Sequence, residues 1–436
     1  MVTTQAHSEL RTTAHPLGRA GIAAILFLCL FAAQASLIAL TPVLAQVASD
    51  LGVSTAAAGQ LRTLSGITAG TVALVLAFTR RARRIDLREL LTAGAVVLAG
   101  ASVASALAPG FVVLAAAQVG VGVGVGLLVT AGTTAAAEWA LPEHRAQVLS
   151  WALIGMPAAW IVGMPVIGSL GEIDWRYVWI ALPLTAAVVA AIAVTAGPRS
   201  SGRTVPCGSL VGVLADGPTA RWLLGEVLAN SAWIGTLVYA GALFAESYST
   251  TPAAIGFLLA LAASAFVAGN LWFRRWVARE ARTSLVRLAL VLAVGVAAFG
   301  VVRPSPAAST VLLSVVAFVA GGRTLLGSAF GLTVSPERRM AIMGARAAAN
   351  QYGYFFGSAI GGLALSAAGY TGLGLLLGAL FAMAALTLST DGVGLRGSVD
   401  LVRWSTGFSV RSRWSTGRAP FRSAGVDSGH SSLPCS

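Results

Sequence analysis

The chain contains no lysine; all 29 of its strongly basic residues are arginine. It has 16 acidic residues, 4 histidines and 3 cysteines in 436 positions, and charged residues make up only 10% of it. Each shortage excludes something. A soluble globular domain carries about 25% charged residues, so this chain has too little polar surface to cover itself in water. Cys29, Cys207 and Cys435 stand far apart, without the spacing of a metal site or a disulfide framework. Cys29 lies in an apolar run and reads as a small core residue. His7, His15, His144 and His430 fall in tails or loops. There is no His-Glu-x-x-His zinc motif, no phosphate-binding loop and no ATP-binding domain. No cofactor and no metal are expected. The chain reads as neither an enzyme nor, by itself, an ATP-driven pump.

What the chain has in excess is apolar sequence, 56% of its residues. A span of the hydrocarbon core needs roughly 20 apolar residues. Twelve segments qualify, at about 21–47, 56–78, 90–108, 111–137, 147–170, 176–196, 221–245, 253–273, 284–302, 307–333, 342–367 and 370–389. The first is too long for a signal-peptide core. Backbone polar groups in lipid must be paired internally, so the segments are helices or a closed barrel. Continuous apolar runs exclude barrel strands, which alternate. The expected fold is an all-α integral membrane protein with twelve transmembrane helices.

The formal net charge of +13 comes from arginines in short bursts between apolar runs. That pattern is a topology signal rather than a nucleic-acid surface. With the N-terminus in the cytoplasm, the inner side receives Arg80, Arg81, Arg83, Arg84, Arg88, Arg145, the connector 199–221, the cluster at 274–287, Arg338, Arg339 and the C-terminal tail. The outer side receives only Arg62, Arg176 and Arg303, and Arg323 falls within a span. The positive-inside rule then predicts a multi-pass protein of the cytoplasmic membrane with both termini cytoplasmic.

Internal repetition divides the chain. Arg80-Arg81 returns as Arg274-Arg275, and Pro142-Glu143-His144-Arg145 as Pro336-Glu337-Arg338-Arg339, both at an offset of 194. Met164–Ser169 has a counterpart in Gly357–Gly362 at an offset of 193, which matches Gly168 with Gly361. The expected organisation is a tail at 1–20, a six-helix bundle at 21–196, a Gly/Pro/Ser-rich connector at 197–220, a second bundle at 221–389 and a disordered basic tail at 390–436. The last segment contains Arg-Trp-Ser-Thr-Gly at both 403–407 and 413–417 and reads as a solvated tail touching anionic lipid headgroups.

Two sets of six helices, a central connector and basic loops after the second and eighth spans resemble the major facilitator superfamily over about residues 20–390. The loop Pro142-Glu143-His144-Arg145 is similar to that family's Pro-Glu-x-Arg. Gln118–Leu128, with glycines at 120, 122, 124 and 126, is similar to its glycine-rich fourth span, and Asp174–Trp179 to its Trp-Arg segment. Two departures stand out. Thr79-Arg80-Arg81-Ala82-Arg83-Arg84 lacks the family's acidic residue and glycine, and Gln118 occupies the position where proton-coupled exporters often carry arginine. Met164-Pro165-Val166-Ile167-Gly168-Ser169 partly matches the antiporters' Gly-Pro-x-x-Gly-Gly; it is either a seam element that limits leakage or ordinary small-residue packing. The resemblance implies alternating access in two pseudo-symmetric bundles working as a monomer. It also implies export of an amphipathic drug or metabolite, with protons as the expected partner, or else transport of a polar nutrient; a membrane-embedded enzyme or sensor is the remote alternative, and it would need an acid/base cluster or a folded soluble domain, neither of which the sequence displays.

Ionisable groups inside spans are the natural functional candidates. Glu226, Asn230 and Trp233 share one helical face at i, i+4 and i+7. Glu226 and Arg323 are expected to face one cavity and to pair. Glu226 is either a proton-coupling carboxylate whose proton affinity is raised by burial or an interfacial residue. Gln34, Gln118, Asn350 and Tyr354 are candidate substrate contacts, and Trp151 and Trp160 candidate stacking partners. Arg80, Arg83, Arg84, Arg145, Pro165, Gly168 and Gly361 are candidate gating or packing residues.

Overall fold

The computed structural model describes residues 17–79, 84–199, 210–276, 281–334 and 339–389. Among them every regular element is helical. The first span is α1 (Arg19–Ile38) followed by α2 (Leu44–Asp50). It is broken where one helix was expected, because Pro42 has no N–H to give to the carbonyl one turn back. The break closes with tight turns, Thr41 N–H to Ile38 O at 2.9 Å and Val43 N–H to Leu40 O at 3.2 Å. The next three spans are α3 (Thr55–Phe78), α4 (Leu87–Ala106) and α5 (Phe111–Glu138).

Two spans of the first half are interrupted at prolines. The fifth comprises α6 (Arg145–Leu153), α7 (Gly155–Ala158), a π-turn at Ala159–Gly163 and α8 (Met164–Gly171). The sixth comprises α9 (Tyr177–Trp179), a π-turn at Ile180–Leu184 around Pro183, and α10 (Thr185–Thr195). Wider turns absorb the hydrogen bonds that Pro157, Pro165 and Pro183 cannot make.

After a short helix α11 (Leu210–Leu214), the second half holds α12 (Gly217–Tyr248), α13 (Pro252–Phe273), α14 (Ala281–Val301), α15 (Pro306–Val334) and α16 (Arg339–Ser389). α16 contains two crossings, separated by non-helical backbone at Ala368 and Gly369, where Gly369 takes φ +61°. Eleven helical segments among the described residues are long and apolar enough to cross a membrane, and with α16 counted as two the fold is a twelve-helix bundle. Polar side chains close several helix starts: Ser54, Asp86, Asp216 and Thr251 each accept a first-turn N–H.

The glycine run in α5 has a geometric reason. Glycines two residues apart point to different neighbours, and those four apart to the same one. A β-carbon at Gly122 or Gly126 would lie 2.5 Å from Ser65 O or 2.8 Å from Ala69 O of α3. At Gly120 it would lie 3.0 Å from Ala101 of α4, and at Gly124 2.9 Å from Gly94 O of the same helix. α5 thus presses against α3 and α4 at once, and only glycine permits both approaches.

The halves meet along α3–α16, α8–α13 and α2–α12. At Gly168 a β-carbon would lie 2.3 Å from Pro252 O at the start of α13. At Gly362 it would lie 2.2 Å from Gln60 Nε2 and 3.0 Å from Ala56 O at the start of α3. The residue that corresponds to Gly168 across the seam is therefore Gly362, at the 194 offset of the other repeats, one position beyond the expected Gly361. Gly361 packs within the second half, where a β-carbon would lie 2.9 Å from the Tyr239 ring.

Candidate functional site

Burial decides which polar groups matter, because a charge inside a bundle must be paired or used. Glu226 is 1% exposed, in the third turn of α12. Its Oε1 lies 2.8 Å from Arg323 Nη2 of α15, and its Oε2 lies 2.9 Å from Arg346 Nε of α16. One carboxylate is clamped by two guanidiniums from two other helices. Arg323 also donates to Gly225 O and Arg346 to Thr324 O, each at 3.2 Å. Gly327, one turn beyond Arg323, makes the room: a β-carbon there would lie 2.6 Å from Glu226 Oε1. Buried Trp222, Leu223, Leu326, Ile342 and Ala345 belong to one apolar cluster drawn from the same three helices. They lower the local dielectric and strengthen the pairing.

The triad carries one surplus positive charge, and Arg323 Nε has no hydrogen-bond partner. Arg346 was not singled out from the sequence. Its signal was nevertheless there: it lies inside the apolar segment 342–367 and shares a helical face with Asn350 and Tyr354 at i+4 and i+8.

Arg62 departs from expectation as well. Counted on the outer side by the charge pattern, it lies within α3 at 1% exposure and donates from Nη2 to Ser36 O at 3.2 Å. Its aliphatic stem suits an apolar helix, but its charge does not reach solvent.

The other sequence candidates are dispersed. Gln34 of α1 donates to the Tyr354 hydroxyl of α16 at 3.2 Å, joining the halves. Asn350, half-buried, lies between Arg346 and Tyr354 in the sequence of α16. Asn230 packs against Gly353, and its Nδ2 is buried without a partner. Trp233 stacks on Phe266 of α13, with ring centroids 5.8 Å apart. Gln118 is wholly buried and donates to Ser105 of α4 at 3.2 Å, so it faces its own half. Trp151 is 57% exposed on the outside of the bundle, whereas Trp160 is half-buried. Arg145 ties its loop to Ala140 O at 3.4 Å, and Arg84 is exposed. Arg80, Arg83 and the tail 390–436 lie outside the described residues.

At the face opposite Arg19 and Ser389, Glu246 at the end of α12 accepts from Thr55 of α3 and, at 2.9 Å, from the Tyr370 hydroxyl. Nearby loops are tied by Asp50, which accepts from Trp175 Nε1 at 2.8 Å and Arg176 Nη1 at 3.2 Å. The Trp175 N–H and then the Arg176 guanidinium hold the Asp50 carboxyl below its ordinary range.

The sequence model of the Major Facilitator Superfamily matches residues 26–240. No curated protein sequence matches the chain. Solved structures share its fold. A bacterial homologue of the human lysosomal transporter Spinster, in an inward-facing and unoccupied conformation, aligns with a TM-score of 0.65 at 15% identity, over 85% of this chain and 93% of the other. A D-xylose–proton symporter aligns with 0.64 at 16% identity, over 85% and 97%. The nucleoside transporter NupG aligns with 0.66 at 13% identity, over 84% and 98%. The family model thus matches a little under half of the chain, and the described residues share the fold of these solved transporters.

Proposed function

We propose that this chain is a secondary transporter that exports a small organic molecule from the cytoplasm by alternating access, with the face bearing Arg19 and Ser389 cytoplasmic. The observation that carries the reading is the clamp on Glu226, buried at 1% between Arg323 and Arg346 in a transporter fold. Such a cluster is costly in a bilayer and earns its place through function. The seam at Gly168 and Gly362 supports the mechanism, because close backbone contact lets two rigid halves rock while staying sealed. Proton coupling is assigned to Glu226 because a state that separates α12 from α15 and α16 would break both of its ion pairs at once.

The test is accumulation of a compound panel in everted membrane vesicles, with and without an uncoupler, for wild type and Glu226→Gln. Accumulation lost with uncoupler and lost in the variant supports proton-driven export coupled at Glu226. Accumulation that needs the gradient but survives Glu226→Gln keeps the exporter and removes Glu226 from coupling. A second reading, uptake of a polar nutrient, is favoured by the Gln34–Tyr354 hydrogen bond between the halves. It predicts solute movement in right-side-out vesicles only.

A further inference from the structure

We infer that Arg62, with Gln34, Ser36 and Tyr354 beside it, forms an anion-binding site on the seam, and that the transported solute is an organic anion held there by its carboxylate or equivalent group. This rests on the transporter reading. The first observation is an imbalance. Arg323 and Arg346 share a carboxylate, but Arg62 has none within salt-bridge distance among the described residues. It is 1% exposed in the third turn of α3, its Nη2 holds one backbone carbonyl, and its Nη1 has no hydrogen-bond partner. A guanidinium offers five N–H donors in a planar fork that matches a carboxylate. Here the outer part of that fork is unused, and water is excluded.

The second observation is what surrounds it. Gly66, one turn on from Arg62, brings α16 into contact: a β-carbon there would lie 2.5 Å from Phe355 N and 2.8 Å from Tyr354 Cβ. Arg62 is therefore at the level of Tyr354 and within electrostatic range of its ring hydroxyl. That hydroxyl accepts from Gln34, which leaves its own proton to donate. Ser36, whose carbonyl Arg62 holds, and Gln34 come from α1. The site thus joins α1 and α3 of one half to α16 of the other. Motion between the halves opens and closes it, which is what a carried solute requires.

The third observation is charge. No acidic side chain faces this point among the described residues, so one bound anion neutralises it. The Glu226 triad also carries a surplus positive charge. An anion entering from that side meets a favourable potential at both stations.

The experiment uses purified full-length protein and follows thermal unfolding by tryptophan fluorescence. Benzoate is titrated against benzamide, its neutral isostere, at constant ionic strength. Variants are Arg62→Gln, Arg62→Lys, Tyr354→Phe and, as a control away from the site, Arg303→Gln. Benzoate is expected to raise Tm saturably in wild type and Arg303→Gln, and benzamide is not. Arg62→Gln loses the response, and Arg62→Lys keeps a weaker one. Tyr354→Phe weakens apparent affinity roughly ten- to a hundredfold, as for one lost hydrogen bond to a charged group. Equal effects of benzoate and benzamide, no effect of benzoate on wild type, or an undiminished response in Arg62→Gln would each overturn the assignment. If Arg62→Gln does not fold, the wild-type comparison and Tyr354→Phe decide. Vesicles separate the two claims. Transport of neutral compounds without benzoate binding sinks the anion site and spares the transporter; benzoate binding at Arg62 without transport of any compound does the reverse.

Discussion

Replacing Glu226 with glutamine keeps the shape of the side chain and removes its charge, so it isolates what the clamp contributes. The native triad has one negative and two positive charges, all poorly exposed: 1% for Glu226, 4% for Arg323 and 18% for Arg346. Glu226→Gln leaves two buried cations facing each other. Removing one partner of a buried pair costs about 3–5 kcal/mol, because the survivor keeps its desolvation penalty. The one hydrogen bond that the amide oxygen can still accept returns about 1 kcal/mol at most, since the amide NH2 cannot accept from the other guanidinium. A net loss of about 2–5 kcal/mol is expected, a large share of the 5–15 kcal/mol typical of folded domains.

The charge count predicts an order. Arg346→Gln should be mildest, since the triad becomes neutral and Arg346 is the most exposed member. Arg323→Gln is intermediate. Glu226→Gln is worst, and the double variant Glu226→Gln/Arg323→Gln recovers part of the loss by removing the repulsion. The assay is thermal unfolding of purified protein in detergent, with midpoints compared across a double-mutant cycle. If Glu226→Gln melts within a degree of wild type, or above Arg346→Gln, the clamp is not the buried ionic cluster described here.

Three further outcomes follow. Gly168→Ala places a methyl group 2.3 Å from Pro252 O; overpacking of about 1–3 kcal/mol should lower the unfolding midpoint, and an unchanged midpoint would mean that the seam is looser than this. Asp50, with its carboxyl held down by Trp175 and Arg176, contributes stability that is present above its unfolded value of about 3.9 and lost as pH falls through the lower folded value. The effect is at most about 1 kcal/mol for a pair this exposed; Asp50→Asn should flatten the pH dependence of unfolding below pH 4, and an identical profile in the variant would refute the assignment. A fluorescent-protein fusion after Ser436 should fluoresce and an alkaline phosphatase fusion there should be inactive, as expected of a cytoplasmic C-terminus; active phosphatase would invert the topology.

The spans were legible in the sequence because lipid makes the requirement local. Each stretch must be apolar over its own length, and its neighbours do not alter that. The repeat was legible for the same reason, through markers at one spacing. Details that hang on single residues were partly so. Pro42, Pro157, Pro165 and Pro183 stand in the sequence, yet whether each gives a break, a bend or a π-turn depends on the helices packed alongside. The register of the second seam glycine, Gly362 rather than Gly361, emerged only from its contact with α3.

The amino-acid sequence by itself determined a helical membrane protein of two related halves, with Glu226 and Arg323 as charges inside spans. Hydrophobic length, arginine placement and repetition are read along the chain, so no tertiary knowledge is needed for them. Only the tertiary structure decided which polar groups meet. Arg346 stands 120 residues from Glu226, and Tyr354 320 from Gln34. Whether such groups touch depends on the rotation of each helix about its axis and on its depth, quantities set by packing against several neighbours. Arg62 makes the point most sharply: the charge count placed it on the outer side, whereas the fold buries it in α3 against a carbonyl of α1, because α1 and α16 pack over that face of the helix.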